Sequence, residues 1–99
     1  MSDVADRVVR IVSSIPRAHV LTYGDVARIS GTGARAVGQI LRRNGHDAPW
    51  WRVVDAAGRP VGALARTARA RFVDEATPLV EGDGDVRVDL PRAIWRYDP

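Results

Sequence analysis

From Val4 onward the apolar residues fall at Val4, Val8, Ile11, Val12 and Ile15, the spacing of one helix face, with Asp3 and Asp6 near the positive end. This pattern predicts a helix from Asp3 to Ser14. Pro16 ends it, because proline cannot continue the hydrogen-bond ladder and disfavours helix in the residue before it. Thr22, with Asp25 three residues on, forms a variant capping box that opens a short helix over Tyr23 to Ile29, and Gly31, Thr32 and Gly33 break it. The next helix is expected over Ala34 to Arg43, with Val37, Ile40 and Leu41 turned inward and Gly45, His46 and Asp47 closing it. Helix, glycine turn and arginine-bearing second helix together read as a helix-turn-helix.

After Pro49, the β-branched and aromatic run Trp50, Trp51, Arg52, Val53, Val54 predicts a short strand. A turn over Asp55 to Gly58 and a return strand at Arg59 to Val61 complete a small hairpin. Leu64 to Ala76 reads as a final helix with Leu64, Ala68, Phe72 and Val73 inward and Arg66, Arg69 and Arg71 mostly outward. An acidic, glycine-containing loop from Glu81 to Asp85 leads into an extended tail over Val86 to Trp95. The expected architecture is one domain over residues 1–99, mostly α with a short β element, built as a winged-helix-like helix-turn-helix.

Composition narrows the function. A chain of 99 residues holds one modest core. No apolar run approaches the roughly 20 residues that span a bilayer, and Met1 to Arg10 is mixed in charge, so a cytoplasmic protein without a membrane partner is expected. There is no cysteine, which excludes disulfides, thiolate metal sites and thiol nucleophiles. The net charge is +3, and all fifteen basic residues are arginine. Arginine's planar donors suit phosphates and bases. Genomic base composition explains the absence of lysine equally well, so charge alone supports DNA binding only weakly.

The second helix of the motif carries small residues at Ala34, Ala36 and Gly38 around Arg35. Such a face lets a helix sit deep in a groove while one long cation enters the base stack; it also suits tight packing against a neighbouring helix. Tyr23 fits either a residue that presses on a phosphate to rotate a nucleotide or a half-buried core tyrosine. Asn44 fits a helix C-terminal residue, or an amide that bonds a displaced base or braces the next loop. An enzyme acting through Asp25, His46 or Asp55 has little support, since His19 and His46 lack the spacing of a metal site or a triad.

Taken in order, Ile15-Pro16, Thr22-Tyr23-Gly24, Ala27, Ala34-Arg35-Ala36-Val37-Gly38, Asn44 and Pro49-Trp50-Trp51-Arg52-Val53-Val54 resemble the O6-alkylguanine-DNA alkyltransferase domain over most of residues 8–62. In that family the second helix enters the minor groove, an arginine finger fills the gap in the stack, and the alkylated guanine is flipped into a pocket. The resemblance implies that Arg35 is the finger and Tyr23 the residue that helps rotate the nucleotide. Ala34, Ala36, Gly38 and Asn44 would lie at the DNA, and Tyr23, Trp50, Trp51, Arg52 and Val53 would line the lesion pocket.

The family's loop reads proline, cysteine, histidine, arginine, valine, and its cysteine takes the alkyl group onto sulfur; here Trp50 stands at the cysteine position. Indole cannot replace a thiolate nucleophile, so alkyl transfer is ruled out and recognition remains. A tryptophan here is the mark of the alkyltransferase-like proteins, which bind O6-alkylguanine without repairing it and flag it for nucleotide excision repair. Val88-Asp89-Leu90-Pro91 with Trp95 resembles their carboxyl-terminal segment.

The resemblance implies a monomer with no cofactor, whose partners are duplex DNA containing O6-alkylguanine and nucleotide excision repair proteins. The alternative is a helix-turn-helix regulator that flips no base. Three departures stand out: Trp51 replaces the histidine, the segment from Asn44 to Pro49 is short, and Pro60-Val61-Gly62-Ala63 lacks an arginine that such proteins place near the base. Arg66 is the nearest candidate for that arginine, and Glu75 is the nearest match to a glutamate late in the last helix.

Overall fold

Helix α1 runs from Asp3 to Ser14 in the computed structural model, which describes residues 3–45, 47–61, 64–80, 82 and 86–97. It buries Val8, Ile11 and Val12, the stripe its periodicity predicts. Strand β1 (Leu21–Thr22) leads directly into α2 (Tyr23–Ser30). Both halves of the expected capping box form: the Asp25 N–H donates to Thr22 Oγ1 at 3.0 Å, and the Thr22 N–H donates to Asp25 Oδ2 at 3.3 Å. Gly31 ends the helix in the left-handed region at φ 80°, with its N–H on the Ala27 carbonyl. Helix α3 (Ala34–Asn44) follows, burying Val37 and Leu41. Helices α1, α2 and α3 pack on one another, so the helix-turn-helix rests on α1.

The sheet differs from the expected hairpin. Strand β2 is only Val53–Val54 and pairs in parallel with β1, Leu21 opposite Val53 and Thr22 opposite Val54. The helix-turn-helix is therefore the crossover that parallel pairing requires. Arg59 to Val61 forms no strand, although the Asp55 N–H closes the turn on the Arg59 carbonyl at 2.9 Å. Val53 and Val54 are both buried, as befits a strand covered on both faces. Alternation along β1 and β2 divides the interior: Leu21 and Val53 join α1, α2 and α3 in one core, whereas Val20 and Val54 join Ala68, Phe72, Val88 and Ala93 in a second.

Trp50 to Arg52 is a single 3-10 turn, not the start of the strand. In a strand, neighbouring side chains point to opposite faces, yet Trp51 and Arg52 both reach Glu75. Helix α4 (Ala65–Glu75) turns Ala68, Phe72 and Glu75 inward. Leu64 and Val73, expected inside, are 44% and 62% exposed: Leu64 precedes the helix, and Val73 falls off the stripe set by Ala68 and Phe72. Arg66, Arg69 and Arg71 are exposed as expected.

The tail is not wholly extended. Val88 bridges Leu79 in antiparallel fashion, Leu90–Ala93 forms a short helix α5, and Ile94 bridges Val20. His46, Gly62, Ala63 and all of the expected Glu81 to Asp85 loop except Gly82 lie outside the described residues. Among the described residues no helix is long and apolar enough to cross a membrane.

Gly58 ties this tail to the turn after β2. Its φ is +87°, and a Cβ there would collide with the Val88 carbonyl. The Val88 N–H donates to the Gly58 carbonyl at 2.8 Å. Gly58→Ala is expected to lower stability by about 2 kcal/mol or more, combining left-handed strain with displacement of the tail. Urea unfolding midpoints check this, and a loss of only a few tenths of a kcal/mol would mean the tail does not depend on that approach.

Candidate nucleic-acid interface

Tyr23 opens α2, where the Thr22 cap fixes the backbone and the first core holds the half-buried ring. Burial pushes its phenol above the usual value, the nearby Asp55 carboxylate adds to the rise, and Arg42 opposes it. Tyr23 is thus a neutral hydroxyl at ordinary pH, suited to bond a phosphate oxygen without repelling it.

On α3, Ala34 and Arg35 are exposed in the first turn. One turn on, a Cβ built on Gly38 would meet nothing within 4 Å. The side of α3 that carries Ala34, Arg35 and Gly38 is consequently open, with no neighbouring helix against Gly38. Tyr23, Ala34, Arg35, Gly38 and Trp50 line one cleft of about 960 Å³. Three segments distant in sequence meet there: the start of α2, the outer face of α3, and the turn before β2.

Other expected site residues lie outside the cleft. Ala36 is half-buried on α3, and Asn44 is the exposed last residue of that helix; neither lines the cleft. Trp51, Arg52 and Val53, expected in the pocket, do not line the cleft. Val53 is buried in β2. Trp51 Nε1 donates to Glu75 Oε2 at 2.9 Å, and Arg52 grips the same carboxylate through Nη2 to Oε2 at 2.6 Å and Nε to Oε1 at 3.0 Å. Arg52 Nη1 also donates to the Ile15 carbonyl at 2.8 Å, beyond the end of α1.

Glu75, left without a role on sequence grounds, is the hub of this cluster. It is buried, and it also accepts the Ala18 N–H at 3.3 Å, where Ala18 takes a positive φ of 70°. Burial pushes its pKa up, but the hydrogen bonds from Arg52, Trp51 and Ala18, with the Arg52 charge, outweigh that and hold the carboxyl below the usual range.

The cleft also includes residues beyond those expected from the sequence. Gln39 and Arg42 extend the Arg35 face along α3, a stripe that i, i+4, i+7 spacing could have signalled. Asp55, Val61 and Leu64 come from the loop after β2, and Arg66, the nearest candidate for the missing arginine, does not line the cleft. Only the folded chain brings that loop to α3.

An arginine-bearing helix-turn-helix beside a cleft walled by an indole defines a DNA-binding domain with room for a nucleobase. Residues 3–76 match the family described as 6-O-methylguanine DNA methyltransferase, DNA binding domain, and the chain belongs to that family. It is 39% identical over 97 residues to a DNA base-flipping protein of Escherichia coli (strain K12), covering 92% of this chain and 73% of that protein. Alkyltransferase-like protein 1 of Schizosaccharomyces pombe is 29% identical over 105 residues, covering 97% of each. The crystal structure of S. pombe Atl1 in complex with damaged DNA containing O6-carboxymethylguanine superposes with a TM-score of 0.83 at 28% identity, covering 98% of both chains. With no cysteine in the sequence there is no thiol to accept an alkyl group, and the chain is a non-catalytic, alkyltransferase-like member.

Proposed function

We propose that this protein binds O6-alkylguanine in duplex DNA from the minor groove, flips the damaged nucleotide into the cleft, and flags it for nucleotide excision repair as a cytoplasmic monomer. The observation that carries the reading is the convergence of Tyr23, Arg35 and Trp50 on one cleft. Arg35 fills the gap in the stack, the Tyr23 hydroxyl presses on the phosphate, and the Trp50 ring packs against the base and its alkyl group. The cleft lies near the top of the roughly 300–1,000 Å³ range of ordinary ligand sites, which suits a base with a substituent.

The energetics are compatible. Unstacking a base costs a few kcal/mol, and stacking on an aromatic ring returns about 1–3 kcal/mol. Phosphate neutralisation by arginines supplies the rest and makes binding weaken with salt. That the S. pombe relative was crystallised on DNA carrying an O6-alkylated guanine supports the same assignment here.

A titration against two short duplexes, one with O6-methylguanine and one with guanine, tests the reading at two salt concentrations. Binding at least about tenfold tighter to the methylated duplex is expected, with both affinities falling as salt rises. Mass spectrometry afterwards is expected to find the protein mass unchanged. Equal affinities would instead favour a helix-turn-helix regulator without base flipping, and no binding would reduce the relationship to one of fold.

A further inference from the structure

Trp50 borders the cleft from a single 3-10 turn, and among the described residues its indole nitrogen has no hydrogen-bond partner. Its ring and that of Trp51 stand nearly perpendicular in a T-shaped pair, with centroids 5.7 Å apart and planes at 88°. Trp51 is itself held from several sides. Its nitrogen donates to Glu75, the Arg71 guanidinium lies 4.6 Å from its ring centroid, and the Arg52 guanidinium lies 5.5 Å away. Glu75 is fixed in turn by Arg52 and by the Ala18 N–H. A chain of contacts therefore runs from α4, through a residue outside the cleft, to the indole at its wall.

We propose that Trp51 is a positioning residue: clamped by Glu75 and Arg71, it fixes the plane of the Trp50 ring and thereby sets how strongly the cleft prefers alkylated guanine over guanine. The proposal rests on the lesion-binding reading above and extends it to α4. Its physics is that of preorganisation. A ring can stack on a base only when the two planes are parallel, and a half-buried tryptophan without a polar anchor must otherwise be ordered at the moment of binding. The edge-to-face arrangement favoured by the aromatic quadrupole supplies that order in advance.

Phosphate contacts are common to both duplexes, so the ratio of the two affinities isolates the pocket. Trp51→Leu, which removes the supporting ring, is expected to lower that ratio by roughly two- to tenfold. Arg71→Gln removes the cation over Trp51 and is expected to lower it about twofold. Arg71 is exposed, so this variant folds whatever becomes of Trp51→Leu. Trp51→His, which keeps an aromatic ring and a ring donor for Glu75, is expected to retain more of the ratio than Trp51→Leu. If Trp51→Leu and Arg71→Gln keep the wild-type ratio, or weaken binding to both duplexes equally, the clamp is overturned and Trp51 only supports the fold. A wild-type ratio near one would overturn the lesion reading itself, and the clamp with it.

Discussion

Arg35→Ala is expected to weaken binding to an O6-methylguanine duplex by about thirtyfold, while the melting temperature stays within about a degree of the parent. The side chain is exposed in the first turn of α3, so the fold loses little. Its loss on DNA is large because a buried arginine anchor is worth about 2 kcal/mol or more, and here it also fills the vacated place in the stack. Affinity for the undamaged duplex is expected to fall by a smaller factor, through loss of one cation. Fluorescence anisotropy with the two duplexes separates these effects. Lesion affinity equal to the parent's would remove Arg35 from the finger role and leave the cleft without a residue to hold the stack open.

What was legible in the sequence follows the range over which each signal acts. The α1 stripe, the Thr22–Asp25 capping box and the Gly31 terminator depend on residues within one or two turns of each other, and they fold as read. The partner of Val53–Val54 lies some thirty residues away in β1, and nothing local distinguishes that pairing from a hairpin. The same limit governs the site. Tyr23, Arg35 and Gly38 sit on helices whose faces can be projected from spacing, and they reach the cleft. The family resemblance puts Trp50, Trp51, Arg52 and Val53 together in the pocket, but a 3-10 turn followed by a strand sends them in different directions. Trp50 alone borders the cleft, Trp51 and Arg52 turn to Glu75, and Val53 enters the core. Glu75 has no local signal because a buried carboxylate is recognised by its partners, which come from the connection after α1 and from the tryptophan turn.

Glu75→Ala is the substitution expected to damage the fold most. It would leave the Arg52 guanidinium, whose side chain is only 13% exposed, without its counter-charge, and it would strip the Trp51 and Ala18 N–H groups of their acceptor. Breaking a buried pair from one side costs about 3–5 kcal/mol, a large share of the roughly 5–15 kcal/mol that holds a small domain together. A melting temperature lower by about 15 °C or more is expected in a calorimetric scan. The pH dependence has a definite sign. Because the folded pKa of Glu75 lies below its ordinary value, its stabilisation is fully present above that ordinary value and disappears as pH falls through the depressed folded one. The parent should therefore lose stability on acidification in a window that Glu75→Ala no longer shows. Arg52→Met combined with Glu75→Leu is expected to recover much of the lost stability, since an apolar pair avoids the desolvation penalty of two charges. Recovery of stability together with a lowered preference for alkylated guanine would mean that the ion pair is needed less for holding the fold than for holding Trp51, and through it Trp50, in place.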